Sequence, residues 1–345
     1  MKNIAAYLTK IRCLEHREIP VPEPKKGELL LGMKYVGICG SDAHFWASGM
    51  RKGKYFDLPF LLGHELSAEV VGIGDDVTGF TVGDRITFEP QITCGECEFC
   101  RSGRYNICPN VIFPSVPPYD GAFRNYMTIP AKNAFKLPEN MSLIQGALIE
   151  PLAVGLSAAE KGGVSLGKSV ALLGAGPIGL TTLLACKAMG ATRIIVSDLQ
   201  EERGRMALEL GATDFINASV VDTVAEVNRL TDGEGVDVVF ETAGSSRTAA
   251  ITSDIVKRGG IVVLVGNINT ETSYRFMDLM YKEAQIRTIY RYRNNFQTAI
   301  DAVADGRIQI EKIVTRIYPF EEVQQAFVDS IENQKDVIKI LVKMD

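Results

Sequence analysis

One stretch constrains this chain more than any other: Ser169–Asp198, which reads SVALLGAGPIGLTTLLACKAMGATRIIVSD. Val170 to Leu173 is a short apolar run of the kind expected of a strand covered on both faces. Gly174, Gly176 and Gly179 follow as G-A-G-P-I-G. A helical pattern then opens at once, with Pro177 suited to its first turn and Gly190 to its end. The first glycine permits a tight turn, the second lets backbone approach a pyrophosphate, and the third lets helix pack closely on strand. A second strand, Arg193–Ser197, ends in Asp198, 19 residues after Gly179. A carboxylate there accepts hydrogen bonds from the adenosine ribose hydroxyls and repels a 2′-phosphate, which favours NAD over NADP. Arg203 and Arg205 stand just downstream, where either can meet a phosphate. The strand–turn–helix–strand context, more than the glycines alone, outweighs an ordinary turn with a surface Asp and makes this a dinucleotide-binding unit.

At 345 residues the chain is long enough for two domains. A net charge of −5 argues against nucleic acid as a partner, because phosphate neutralisation needs a basic face. The opening MKNIAAYLTKIRCLEHREIP is broken by charges, and no apolar run reaches the roughly 18 residues of a membrane span. The expected location is the cytoplasm, where seven cysteines are better read as metal ligands or free thiols than as disulfides. Up to about residue 150 short strand patterns alternate with Gly, Pro and Asp, as at Leu29–Tyr35, Ser67–Ile73, Asp84–Phe88 and Tyr126–Ile129, which suggests a β-rich barrel or sandwich. Strands then alternate with helices: Glu201–Leu210 (helix), Asp214–Ile216 (strand), Val220–Leu230 (helix), Val236–Phe240 (strand), Arg247–Lys257 (helix) and Ile261–Val265 (strand). That pattern predicts a parallel, doubly wound sheet ending near Ile286–Tyr290, and the tail is expected to return to the first domain.

Cys94, Cys97, Cys100 and Cys108 stand as C-x2-C-x2-C-x7-C. Paired cysteines in tight turns direct their sulfurs at one ion, and four thiolates leave no open position, so the pattern predicts a structural zinc. An iron–sulfur cluster is the rival, and a disulfide-stapled loop the weakest alternative. A second group is thinner. His64 and Glu65 lie in L-L-G-H-E-L and Cys39 in G-I-C-G-S-D. One thiolate, one imidazole and one carboxylate with an open fourth position would make a catalytic zinc site. By spacing alone, a Cys and a His this far apart are more often packing side chains.

Cys39-Gly40-Ser41-Asp42, Gly63-His64-Glu65, Val82-Gly83-Asp84-Arg85, the four-cysteine loop and G-A-G-P-I-G occur in that order. Together they resemble the zinc-dependent medium-chain alcohol dehydrogenase family, over essentially the whole chain. The likeness is sharper to its polyol branch, the sorbitol and xylitol dehydrogenases, through C-G-S-D-A-H-F-W at 39–46, A-L-I-E-P-L-A-V-G at 147–155 and Y-R-Y at 290–292. The resemblance implies an α/β chain with a GroES-like β-rich catalytic domain at 1–152 and 290–345, and a doubly wound Rossmann domain at 153–289. It implies a catalytic site between them. Cys39 and His64 would be zinc ligands, with Glu65 a third ligand or close behind it. Glu150 would bind zinc directly or hold its water; its alternative is a helix-start carboxylate. Ser41 matches the hydroxyl that meets substrate oxygen, and His44 the surface end of a proton relay. Arg291 and Tyr292 match groups that hold polyol hydroxyls. Phe45 stands where that branch often has a tyrosine, so one hydroxyl is missing. The cofactor set would be Gly174, Gly176, Pro177, Ile178, Gly179, Asp198, Arg203 and Val265.

What the resemblance implies is NAD-dependent oxidation of a secondary alcohol of a polyol to a ketose. Polyol phosphates, sugar acids and threonine remain as substrate alternatives. A basic run at Arg51, Lys52 and Lys54 could meet an anionic group, against the plainer reading of a solvated loop. An NAD-binding structural or regulatory protein is the non-enzymatic alternative, and redox sensing by the cysteine loop is a further idea. The branch also implies a homotetramer or homodimer, assembled through an edge strand of the Rossmann sheet, here expected at Ile261–Val265.

Overall fold

The computed structural model describes residues 2–51, 53–268, 271–333 and 335–344. The chain forms two compact units. One comprises Met1–Glu150, Phe296–Asp305 and Val314–Asp345, the other Pro151–Asn295 and Gly306–Ile313. Among the described residues no helix is long and apolar enough to cross a membrane.

The first unit is built on a seven-stranded sheet. Its path runs Ala134–Lys136, Arg85–Phe88, Glu65–Ile73, Glu28–Gly37, Lys339–Lys343 and Val314–Pro319, with Tyr126–Pro130 also paired to Glu28–Gly37. A smaller sheet joins Cys13–Ile19, Asn3–Lys10 and Phe60–Leu61. Leu29, Leu31 and Met33 alternate inward along the central strand, at the period a half-buried strand requires, and join Leu66, Ala68, Val70, Phe88 and Val342 in one core. The register of this strand sets Gly37 opposite Glu65 on one side and Leu341 on the other. A Cβ at Gly37 would fall 2.2 Å from Glu65 Oε2, so the glycine makes the space through which that carboxylate reaches.

The second unit is the parallel sheet that the helix–strand alternation predicts. Its order is Asp214–Asn217, Arg193–Asp198, Ser169–Leu173, Val236–Glu241, Val256–Leu264, Gln285–Thr288, every pair parallel. Ser169–Leu173 comes first in sequence and sits inside the sheet, so the winding reverses beside it; ligands of such sheets bind outside the carboxyl ends of the strands at that point. Val236–Glu241 is buried at every position, the signature of a strand covered on both faces. The expectation that Ile261–Val265 forms the sheet edge is corrected. Helix Phe276–Lys282 returns the chain to add Gln285–Thr288 outside Val256–Leu264, and this last strand is the edge.

Candidate functional site

The dinucleotide turn has the geometry its glycines suggest. Gly174 has φ of +113°, a conformation closed to most side chains. A Cβ on Gly179 would fall 1.9 Å from the Gly174 carbonyl oxygen, so helix Pro177–Ala188 approaches the turn only because that side chain is absent. At Gly176, by contrast, the space is open, and its nearest neighbour is Arg203 Nη1, 3.9 Å from where a Cβ would be. Asp198 braces the turn. Its Oδ2 accepts from the Ala175 N–H at 2.7 Å and its Oδ1 from the Gln200 N–H at 2.9 Å. Arg203 thus brings its guanidinium to this open space, and its buried Nε has no hydrogen-bond partner, so a cation with spare donor capacity stands where an anionic group over the turn would lie. The residues fit a pyrophosphate at the helix N-terminus. Of the remaining cofactor positions, Ile178 turns its carbonyl to the Thr181 and Thr182 hydroxyls (3.0 and 2.7 Å), and the Val265 N–H donates to the Glu241 carbonyl at 2.9 Å.

In the first unit, ligand atoms of Cys39, His64 and Glu65 lie within 4.8 Å of one another. They come from two places, a helix start and a strand start. Cys39 is the N-cap of helix Gly40–Ser48 but makes no side-chain capping bond, so its sulfur is not spent on the helix. His64 sits just before strand Glu65–Ile73, only 4% exposed, its ring centroid 5.2 Å from that of Phe113 in an edge-on contact. His64 Nδ1 lies 3.2 Å from Asp42 Oδ2, a close charge contact without the alignment of a full hydrogen bond. Nε2 is then the nitrogen left for a metal, the arrangement carboxylate–histidine pairs produce around zinc. Burial pushes the Asp42 carboxyl up, but His64, Arg51 and Ser115 outweigh it and hold the group below its usual range. Burial works against a proton on His64, yet Asp42 and Cys39 raise its pKa well above the ordinary value, so a metal must displace a proton there. Glu65 Oε2 meets the ammonium of Lys339, which also donates to the Ile38 carbonyl at 3.0 Å. Sulfur, nitrogen and oxygen donors in one largely buried cluster, with no fourth donor among the described residues, match an open zinc site.

Ser41 Oγ donates to Cys39 Sγ at 3.3 Å, which puts the hydroxyl at the cluster, and His44 is exposed on the same helix. Other expectations fare differently. Glu150, on the first turn of helix Ile149–Gly162, is not among the converging donors; the carboxylate that joins Cys39 and His64 is Glu65. Phe45 is fully buried, with ring contacts to Phe60 at 5.7 Å and Phe56 at 6.2 Å, so its surface is spent on packing. Arg291 and Tyr292 belong to the second unit; Arg291 has φ of +58° and lies 4.8 Å over the Tyr290 ring, and Tyr292 is buried. Of the basic run, Arg51 is no solvated side chain: it is half-buried and donates to Asp42 Oδ1 at 3.3 Å. Lys54 is exposed, and Lys52 lies outside the described residues. Asp42, Ser115 and Lys339 are site residues to which sequence reasoning assigned no role. Only Lys339 carried a signal, a lysine embedded in the apolar run V-I-K-I-L-V.

The four cysteines converge as their spacing predicts. Sulfur separations are 3.5 Å for Cys94–Cys108 and 3.9 Å for both Cys94–Cys100 and Cys97–Cys108. Four sulfurs about 2.3 Å from one zinc ion stand about 3.8 Å apart. The separations suit a single ion better than a cluster, whose thiolates sit on different irons. The backbone N–H groups of Glu96 and Cys97 hold the Cys94 thiol down to about 6, ready to bind as thiolate.

Comparison with known proteins agrees with this geometry. Residues 25–139 match the model of the alcohol dehydrogenase GroES-like domain, and residues 177–305 that of the zinc-binding dehydrogenase. The chain is 38% identical over 340 residues to a sorbitol dehydrogenase of Bacillus subtilis, covering 98% of this chain and 96% of that one. Among solved structures it superposes with a TM-score of 0.97 and 42% identity, over the whole of both chains, on an Escherichia coli oxidoreductase/dehydrogenase of unknown specificity involved in membrane biogenesis. It also superposes on the L-idonate 5-dehydrogenase of Escherichia coli, with a TM-score of 0.92 and 26% identity over 100% of this chain and 99% of that one. The chain belongs to the zinc-dependent medium-chain alcohol dehydrogenase family, in its polyol dehydrogenase branch.

Proposed function

We propose that this enzyme oxidises a secondary alcohol of a polyol to a ketose, reversibly, with NAD as hydride acceptor. The observation that carries the reading is the convergence of Cys39, His64 and Glu65, three unlike donors within 4.8 Å, in a unit separate from the dinucleotide turn. When bound, a zinc ion there supplies Lewis acidity and the nicotinamide supplies the hydride acceptor. Cys39, His64 and Glu65 hold the metal. Ser41, in contact with Cys39, would accept the proton of the substrate hydroxyl while handing on its own, and exposed His44 on the same helix would release a proton to solvent at the end of the relay. Arg291 and Tyr292 hold further hydroxyls of the substrate, and Glu150 acts on the proton pathway without binding the ion. Asp198 takes the ribose hydroxyls and disfavours a 2′-phosphate, while Arg203, beside Gly176, meets the pyrophosphate, which supports NAD over NADP. Edge strand Gln285–Thr288 and the exposed Phe276, Met277, Met280 and Tyr281 of the preceding helix are where two copies would join in a homodimer or homotetramer.

A sugar acid is the second reading, supported by the similarity to L-idonate 5-dehydrogenase. The test is NADH formation by zinc-loaded protein over free polyols, polyol phosphates, sugar acids and threonine, for the parent and Cys39→Ala. Turnover with polyols that vanishes in the variant is the expected result. Turnover confined to sugar acids selects the second reading, and no turnover with any class by zinc-loaded protein that binds NAD contradicts both.

A further inference from the structure

Asp42, the carboxylate behind His64, is itself held by a residue far away in sequence. Ser115 is fully buried, and its Oγ donates to Asp42 Oδ1 at 2.6 Å while accepting from the Gly63 N–H at 3.0 Å. The same Gly63 N–H also lies 3.2 Å from Asp42 Oδ2. One hydroxyl thus fixes both supports of the imidazole: the carboxylate against Nδ1, and the backbone immediately before His64. The chain keeps Ser115 in an unfavourable conformation to do this. Its φ is +72°, a region that non-glycine residues seldom occupy and that clusters at functional sites. Two residues upstream, Phe113 packs against the His64 ring in an edge-on arrangement. Arg51 Nη2 shares Asp42 Oδ1 with Ser115 but comes from a half-buried side chain, so Ser115 is the buried, short partner.

We propose that Ser115 is a positioning residue of the metal centre, acting through Asp42 and Gly63 to hold His64 Nε2 toward the ion. The inference rests on the reading of Cys39, His64 and Glu65 as metal ligands. Partners behind a ligating histidine typically set metal affinity by roughly 10–100-fold.

The test uses Ser115→Ala and Ser115→Gly. Both lose the hydroxyl, and only glycine also relieves the left-handed backbone. Each protein is loaded with Zn2+ or Co2+; affinity is read by chelator competition and ligand geometry from the visible spectrum of the Co2+ form. In both variants the four-cysteine site is expected to stay filled. The ion at Cys39, His64 and Glu65 is expected to bind roughly 10–100-fold more weakly, with altered Co2+ bands. Unchanged affinity and bands in both variants overturn the proposal. So does weakening in Ser115→Ala that Ser115→Gly does not share, which would make the backbone responsible. Loss of both ions together in both variants also overturns it, as a general structural role. A parent protein that takes up one ion only, at the four cysteines, sinks the metal reading itself and is told apart by stoichiometry.

Discussion

The two donor clusters of the first unit, each proposed as a metal site, are built in opposite ways. The four-cysteine site draws all its donors from residues 94–108, a single loop with three of its four cysteines only part-buried and N–H donors from its own backbone. The Cys39 site collects a helix cap, a residue before a strand and the first residue of that strand. It then depends on Asp42, Ser115 and Lys339 from further afield. The first is a local device that closes a loop and would offer one ion four thiolates. The second exists only once the sheet has formed, and on the proposed function its three donors would leave room for a substrate oxygen. A site that must keep an open position needs support from outside its own segment, and that support is where distant, buried polar residues are found.

The contrast breaks most sharply under single cysteine changes. Cys39→Ala is expected to lower kcat/KM on the order of 10³-fold or more, the scale of several kcal/mol of lost charge stabilisation, with a thermal midpoint near that of the parent. Cys97→Ala is expected to lower the midpoint strongly by emptying the structural site. Steady-state kinetics and calorimetry on the pair decide it; equal loss of stability in both would erase the distinction.

Lys339→Met removes the partner of buried Glu65. Breaking such a pair costs roughly 3–5 kcal/mol because a buried charge is left uncompensated. Since Glu65 is also a metal donor, the loss in urea unfolding should shrink when metal is present. A loss independent of metal would mean that Glu65 serves only the ion pair.

A pH effect sharpens the comparison from the side of the cysteine loop. Glu89 sits at the stem of that loop, 7% exposed, where burial outweighs hydrogen bonds from Tyr105 and Gln91 and raises its carboxyl to about 7. The folded state therefore binds a proton that the unfolded state releases near 4.5. This contribution is whole below that value and lost as pH rises through 7, a difference of about 3 kcal/mol at 1.36 kcal/mol per unit. Between pH 5 and 8 the parent should lose more stability than Glu89→Gln; equal slopes would remove the effect. Smallest of all, Arg203→Gln should raise the KM for NAD roughly 10-fold, about 1.4 kcal/mol, while leaving both metal sites filled. An unchanged KM would place Arg203 outside the phosphate site.

The same contrast explains what could be read in the residues. C-x2-C-x2-C and G-A-G-P-I-G encode their geometry within a dozen residues, because turn, spacing and donor type are all local. The parallel sheet and its end near Ile286–Tyr290 were legible from alternation, but the edge strand was misplaced at Ile261–Val265. Gln285–Thr288 is four residues long and has no apolar run to announce it. Cys39, His64 and Glu65 could be joined only by resemblance, since their approach depends on the pairing of Glu28–Gly37 with Glu65–Ile73. Ser115 had no local signal at all. Arg51 looked like part of a solvated basic run until the fold brought it against Asp42.

Stepwise removal of zinc from the fully loaded enzyme by a chelator tests the division of labour between the two sites most directly, with activity, zinc per chain and the zinc X-ray absorption spectrum followed together. Activity should fall in step with the first ion lost, while the remaining zinc shows an all-sulfur shell. Full activity in protein that retains only its all-sulfur zinc would contradict the assignment of Cys39, His64 and Glu65 as the catalytic centre.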